Sequence, residues 1–260
     1  MIKVEKDFSK IPSILQKPNR EEAFNKNVAN RSYCDKNSRY KAKSVLYELN
    51  KIYHKKCAYC EKNLLDAPKH IEHYRPKSVY YWLAYSWDNL LLCCATCNSN
   101  KGVKFDIEGT KVEYNNETFK DIQNLGSRYD SIEKPLLINP EKDDFLNDIY
   151  YTKTAKIDSN NKRVKYTIQT CNLNREELRQ LREIILNDFL NSLKEAYLLI
   201  LKNKNIEVLI PTIKRFLSQV EIEKEFFTFR KFIVENVDIY IDDELLAKIV
   251  KKVIIKFYHY

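Results

Sequence analysis

Two Cys-x-x-Cys pairs, Cys57/Cys60 and Cys94/Cys97, bracket a Glu72-His73 dipeptide and Asn89, and Asn98 follows directly on the last cysteine. Four thiolates in two such turns have the spacing of a tetrahedral zinc set, because each turn is too tight for an easy disulfide yet points both sulfurs at one ion. Cys93 competes with Cys94 for its place, and the C-x-x-C spacing favours Cys94. Between the pairs lie a carboxylate, an imidazole and two carboxamides. A neutral imidazole takes a proton from water near pH 7. Carboxylate and amide oxygens are hard donors that suit Mg²⁺, which fills its other positions with water and phosphate. Arg75, Lys77 and Lys101 flank this group and could meet neighbouring phosphates.

These residues need elements to position them. The apolar positions Tyr40, Val45, Leu46, Leu49, Ile52 and Tyr53 fit one helical face from about Ser38 to His54, leading into the first cysteine turn. Residues 70–74 are β-branched and aromatic and read as a first strand, ended by Pro76. His70 lies on that strand and is read as an ordinary strand residue rather than a ligand. The aromatic connector Tyr80, Tyr81, Trp82 and Tyr85 is read as packing in preference to base stacking. Residues 87–92 read as a second strand, and a helix is expected from Asn98, weakened by Gly102. The result is a strand–strand–helix unit whose open ends zinc would fix.

Residues 1–30 suggest a short helix or an extended arm. Residues 148–151 read as a further strand. Asn174, with Glu177 three residues on, has the capping-box pattern at the start of a long helix striped by Leu178, Leu181, Ile185, Phe189 and Leu193. Further helices are expected near 206–219, interrupted by Pro211, and near 221–235 and 242–257. The expected fold is α+β but mostly α: a small ββα-metal core in a predominantly helical chain. Three regions follow: an arm and lead-in helix (1–56), the zinc-bound core (57–108), and a mixed then helical region (109–260) offering a partner-docking surface.

The 260 residues carry a formal charge of +9. That suits a polyanion, although a chain rich in Lys, Asn, Ile and Tyr together also has the look of coding bias. No apolar run reaches 18 residues, which argues against a membrane span, and the charged start MIKVEKDFSK argues against export. A cytoplasmic chain with seven cysteines favours metal over disulfides. Cys34, Cys93 and Cys171 are then left as small buried or half-buried residues, and His54 and His259 as surface residues. No glycine-rich phosphate loop occurs, so ATP and dinucleotide binding are not expected.

The order Glu72-His73, Asn89, Asn98 with Lys101 resembles the zinc-bracketed branch of the HNH nucleases. Further pieces, Cys57-Ala-Tyr-Cys-Glu61, Ile71-Glu-His-Tyr-Arg-Pro-Lys-Ser78, Trp87-Asp-Asn-Leu-Leu91, Pro135-Leu-Leu-Ile-Asn-Pro140, Thr167-Ile168 and Leu173-Asn174, are similar to HNH proteins of the PtuB type, found with the Septu anti-phage system and some retrons. The chain departs from that pattern at Phe105-Asp106, where a proline would be expected after the Phe. The resemblance implies a one-metal endonuclease, acting on DNA above other nucleic acids. His73 is its general base, Asn89 steadies that ring or its strand, and Glu72 and Asn98 hold Mg²⁺ or Mn²⁺. It also implies a PtuA-like ATPase partner and, in some systems, a reverse transcriptase with its RNA–DNA product. Two other readings compete: a non-catalytic zinc module that binds nucleic acid or protein, and a free-standing restriction endonuclease.

Overall fold

Strand and helix formation around the cysteines follows from what the chain buries there. β1 (Lys69–His73) pairs antiparallel with β2 (Leu90–Cys94), Lys69 opposite Cys94 and His73 opposite Leu90. β2, Leu-Leu-Leu-Cys-Cys, is buried along its whole length, so it packs on both faces. Helix α3 (Ala95–Lys101) follows β2 without a loop. The Cys94 Sγ accepts the Cys97 N–H at 3.3 Å and so caps it. Gly102 ends α3 with φ +50°, a conformation that glycine adopts without a Cβ clash.

Two expectations therefore shift. The second strand begins at Leu90, because Trp87–Asn89 turn as a 3-10 segment. The helix begins at Ala95, because the cap is Cys94 and not Asn98.

The computed structural model describes residues 1–258, so His259 lies outside the described residues. It divides into two units. One is Met1–Asp148 with Ser159–Leu173, and the other is Ile149–Asp158 with the chain from Asn174 onward. The boundary expected at residue 108 thus does not separate compact units, since residues 109–148 and 159–173 pack with the cysteine-bearing core.

In the first unit, α1 (Pro18–Ala29) starts with proline at its first position, where the missing N–H costs nothing. α2 (Lys43–Ile52) buries Val45 and Leu49. The expected extended arm precedes them: the Ile2 N–H donates to Ala58 O, and the Val4 N–H to Pro140 O. Lys6 is buried, donates to Trp87 O (2.7 Å) and Leu90 O (2.8 Å), and pairs with Glu141 at 3.1 Å. One ammonium thus ties the arm, the start of β2 and the Pro135–Glu141 segment together. α4 (Gly126–Glu133) and α5 (Lys162–Thr170) complete this unit.

The second unit contains β3 (Ile149–Tyr151) and most of β4 (Ile157–Ser159), with helices α6 (Glu176–Asn203), α7 (Leu209–Leu217), α8 (Phe227–Glu235) and α9 (Glu244–Phe257). Leu178, Phe189 and Leu193 of the expected stripe are buried, and the Phe189 and Phe216 rings stack at 3.9 Å. Asn174 does not cap α6. Its amide accepts the Ile157 N–H at 2.9 Å and donates to Ile157 O at 2.8 Å, binding β4 instead. Pro211 sits in the first turn of α7, where it is tolerated, and does not interrupt the helix. No helix among the described residues is long and apolar enough to cross a membrane.

Candidate active site

Cys57, Cys60, Cys94 and Cys97 are buried, and their sulfurs all lie within 4.8 Å of one another. Sulfurs on a tetrahedron with metal bonds of about 2.3 Å stand about 3.8 Å apart, and Cys60 and Cys94 Sγ are 3.8 Å apart. Cys93 is also buried, with its sulfur 3.6 Å from that of Cys57, but it stays outside the set of four. Burial pushes the Cys57 thiol up, while hydrogen bonds from the other thiols, Cys57 first, pull Cys94 down. Four sulfurs crowded in this way are positioned to bind one metal ion. Of the cysteines left over, Cys171 is buried and Cys34 half-buried.

The ion would stand where the Cys57/Cys60 turn meets the end of β2 and the start of α3. Residues of β1 and α3 also border a cleft of about 420 Å³, lined among others by Tyr40, His70, Glu72, His73, Lys77 and Asn98. His73 Nε2 lies 3.0 Å from Ala84 O. That contact requires a proton on Nε2, so Nδ1 keeps its lone pair. The ring packs edge-on against Tyr40, with centroids 4.5 Å apart. Burial, with Lys77 adding to it, lowers the His73 pKa to about 3, which keeps the imidazole neutral.

Glu72 is buried, and burial raises its pKa against the pull of Lys101. The Lys101 ammonium donates to Glu72 Oε1 (2.7 Å) and to His73 O (2.9 Å). One turn back on α3, the Asn98 amide lies 3.5 Å from His70 Nδ1.

Residues 57–104, which span both cysteine pairs and the cleft strand, match the family model described as HNH endonuclease. They form an HNH domain. Over 166 residues the chain is 33% identical to Septu protein PtuB of Bacillus mycoides (strain KBAB4), which covers 57% of this chain and 53% of the relative. It is 24% identical over 201 residues to Septu protein PtuA of the same strain (72% of this chain, 26% of the relative). It is 45% identical over 49 residues to Septu protein PtuB of Bacillus thuringiensis (18% and 19%). The chain spans about half the length of the first of these relatives and less of the others.

Two side chains of the HNH domain, Arg75 and Lys101, stand elsewhere than their residue types suggested. Arg75 is not free to meet a phosphate. It is only 2% exposed, its Nε and Nη2 donate to Glu133 and Asp130 at 2.7 Å each, and Tyr80 shares Glu133. Lys101 is fully buried on Glu72, so it too is withdrawn from substrate.

Asn89 acts on backbone. Its Oδ1 accepts the Arg75 N–H at 2.7 Å, and its Nδ2 donates to Arg75 O and Leu83 O at 3.1 and 3.3 Å. It therefore fixes the chain on both sides of the imidazole, just past His73 and just before its acceptor Ala84. Tyr80, Trp82 and Tyr85 are buried, in line with packing.

Lys77, unlike Arg75 and Lys101, stays at the cleft. It lines the cleft, and its ammonium lies 5.3 Å from the Tyr33 ring and 5.6 Å from Tyr40. Lys41 lines the cleft as well, yet no motif marks it; only the fold of the segment before α2 brings it there.

These placements separate two kinds of cation. Arg75→Met leaves Glu133 buried without its guanidinium, a loss on the order of 3–5 kcal/mol readable in urea unfolding. The slope of nucleic-acid affinity against salt should stay unchanged in that variant. In Lys77→Ala the slope should fall by about one. A lowered slope in Arg75→Met would put the guanidinium on the substrate after all.

Proposed function

We propose that this chain is a one-metal HNH endonuclease that hydrolyses phosphodiester bonds, with DNA as substrate, and that it serves a Septu-type anti-phage system beside a PtuA-like ATPase. The observation that carries this reading is the placement of the His73 imidazole. The ring is held through Nε2 and sits in one cleft with a carboxylate and an amide oxygen donor. His73 Nδ1 takes the proton of the attacking water, and Nε2–H on Ala84 O holds the ring while it does so. Glu72 and Asn98 would hold Mg²⁺ or Mn²⁺. The bound ion supplies charge neutralisation on the phosphate and on the departing 3′ oxygen. Lys77 and Lys41 draw neighbouring phosphates to the cleft mouth. Products with 5′-phosphate and 3′-hydroxyl ends are expected.

The cysteine cluster fits Zn²⁺ in a closed structural site, since all four positions are protein sulfurs and none is left for a substrate. A cytoplasmic setting suits those reduced thiolates. The ATPase partner is supported by the similarity to PtuB and PtuA of one strain. A reverse transcriptase with RNA–DNA rests on family resemblance alone, and nucleic acid co-purifying with the complex is where it would appear. A zinc module that only binds would need the four cysteines and leaves the cleft without a purpose. The test is cleavage of linear and plasmid DNA by the co-expressed complex with Mg²⁺ or Mn²⁺. Glu72→Ala/Asn98→Ala is expected to abolish cutting, and wild-type cleavage by that double variant would defeat the reading.

A further inference from the structure

β1 places His70 and Glu72 two residues apart, hence on one face of the strand and roughly 6.6 Å from each other along it. That face looks onto α3. There Glu72 meets Lys101 at 2.7 Å, and His70 meets Asn98 at 3.5 Å. Asn98 and Lys101 are three apart on the helix, so they too share a face. Two strand residues and two helix residues therefore close a ring, and His70, Glu72 and Asn98 all line the cleft.

The 3.5 Å separation is long for a hydrogen bond. It is about half an ångström above the spacing of two adjacent ligands on one octahedral ion, about 3 Å for bonds of about 2.1 Å, a gap that a small side-chain rotation closes. Turning the Asn98 amide over puts Oδ1 where Nδ2 now stands, opposite the imidazole nitrogen.

We infer that His70 is the third protein ligand of the catalytic cation, with Glu72 and Asn98, and that it tunes the site towards Mn²⁺ and similar borderline ions over Mg²⁺. This inference rests on the nuclease reading above. The physical ground is ligand chemistry: imidazole nitrogen binds first-row transition ions well, whereas Mg²⁺ prefers oxygen throughout. His73 cannot take this role while its Nε2 is engaged with Ala84 O and its Nδ1 serves as base.

The test uses zinc-loaded protein titrated with Mn²⁺, with free ion followed by its electron paramagnetic resonance signal. Mn²⁺ leaves the cysteine site to zinc, because thiolates select the softer ion. His70→Ala should weaken Mn²⁺ on the order of 10–100-fold, at least the cost of losing a residue one shell further out. Mg²⁺, measured by competition, should weaken much less. Spin-echo modulation from a coordinated ¹⁴N should be present in wild type and His73→Ala protein and absent in His70→Ala. A His70→Gln protein, which keeps a polar side chain on the strand, should melt as wild type and also lose the ¹⁴N signal.

Wild-type Mn²⁺ affinity in His70→Ala, together with loss in Glu72→Ala, would overturn the assignment and leave the nuclease reading standing. Unchanged Mn²⁺ binding in Glu72→Ala would remove the ion from the cleft and overturn both.

Discussion

His73→Ala protein is expected to keep its fold and bound zinc and to lose about 10²–10⁴-fold in single-turnover DNA cleavage, the usual range for a positioned proton acceptor. The size of the loss follows from how completely the imidazole is prepared. Its Nε2–H is committed to Ala84 O, its ring stands edge-on to Tyr40, and Asn89 pins the backbone on both sides of the cleft loop. Burial favours the neutral ring, so on the proposed mechanism a proton acceptor is available throughout the neutral range. The substitution empties a buried site and unpairs the Ala84 carbonyl, so some stability will be lost. The control is therefore the melting curve and zinc content of the same sample. Undiminished cleavage by folded His73→Ala protein would exclude proton transfer by this residue.

Cys60→Ala has a larger structural reach. Structural zinc contributes roughly 10–16 kcal/mol in small finger peptides, comparable with or above the roughly 5–15 kcal/mol that stabilises a whole domain. In this protein the four sulfurs join the Cys57/Cys60 turn to the end of β2 and the first turn of α3. The sheet has only two five-residue strands, so it does not by itself fix the turn against α3. The variant should lose stoichiometric zinc, lose cooperative melting of the unit that carries the cleft, and aggregate on expression. A soluble, zinc-free Cys60→Ala protein with wild-type melting would show that the clamp is dispensable.

Much of this arrangement was legible from residue spacing. The thiol pairs named their own partners, because a C-x-x-C turn admits few other uses, and the choice of Cys94 over Cys93 followed from spacing alone. Strand β1 was visible from its β-branched and aromatic content. Less legible was anything decided by a distant partner. Arg75 looked like a phosphate contact because nothing nearby in sequence announces Glu133 and Asp130, which arrive from α4. Lys101 looked exposed because its carboxylate lies 29 residues earlier.

Asn174 carried a sound local capping signal and was claimed instead by Ile157, a tertiary contact overriding a local one. Asn98 was expected to open a helix that a sulfur two residues before Thr96 had already capped. From the sequence, His70 reads as an ordinary strand residue in preference to a ligand. Only the placement of α3 against β1 gives its ring a neighbour worth noting.

The ammonium of Lys101 has a last consequence. Because it already lies against Glu72, the floor of the cleft is close to electrically neutral before any divalent ion arrives. A polyanionic strand approaching Lys77 and Lys41 therefore meets no bare negative charge that would turn it away. On the proposed mechanism, holding the strand and cutting it are separable acts: zinc-loaded protein given no Mg²⁺ or Mn²⁺ should still retain DNA with nearly its ordinary affinity while leaving it whole. Protein with that property would wait on its target, loaded but inert, until the ion completes the site.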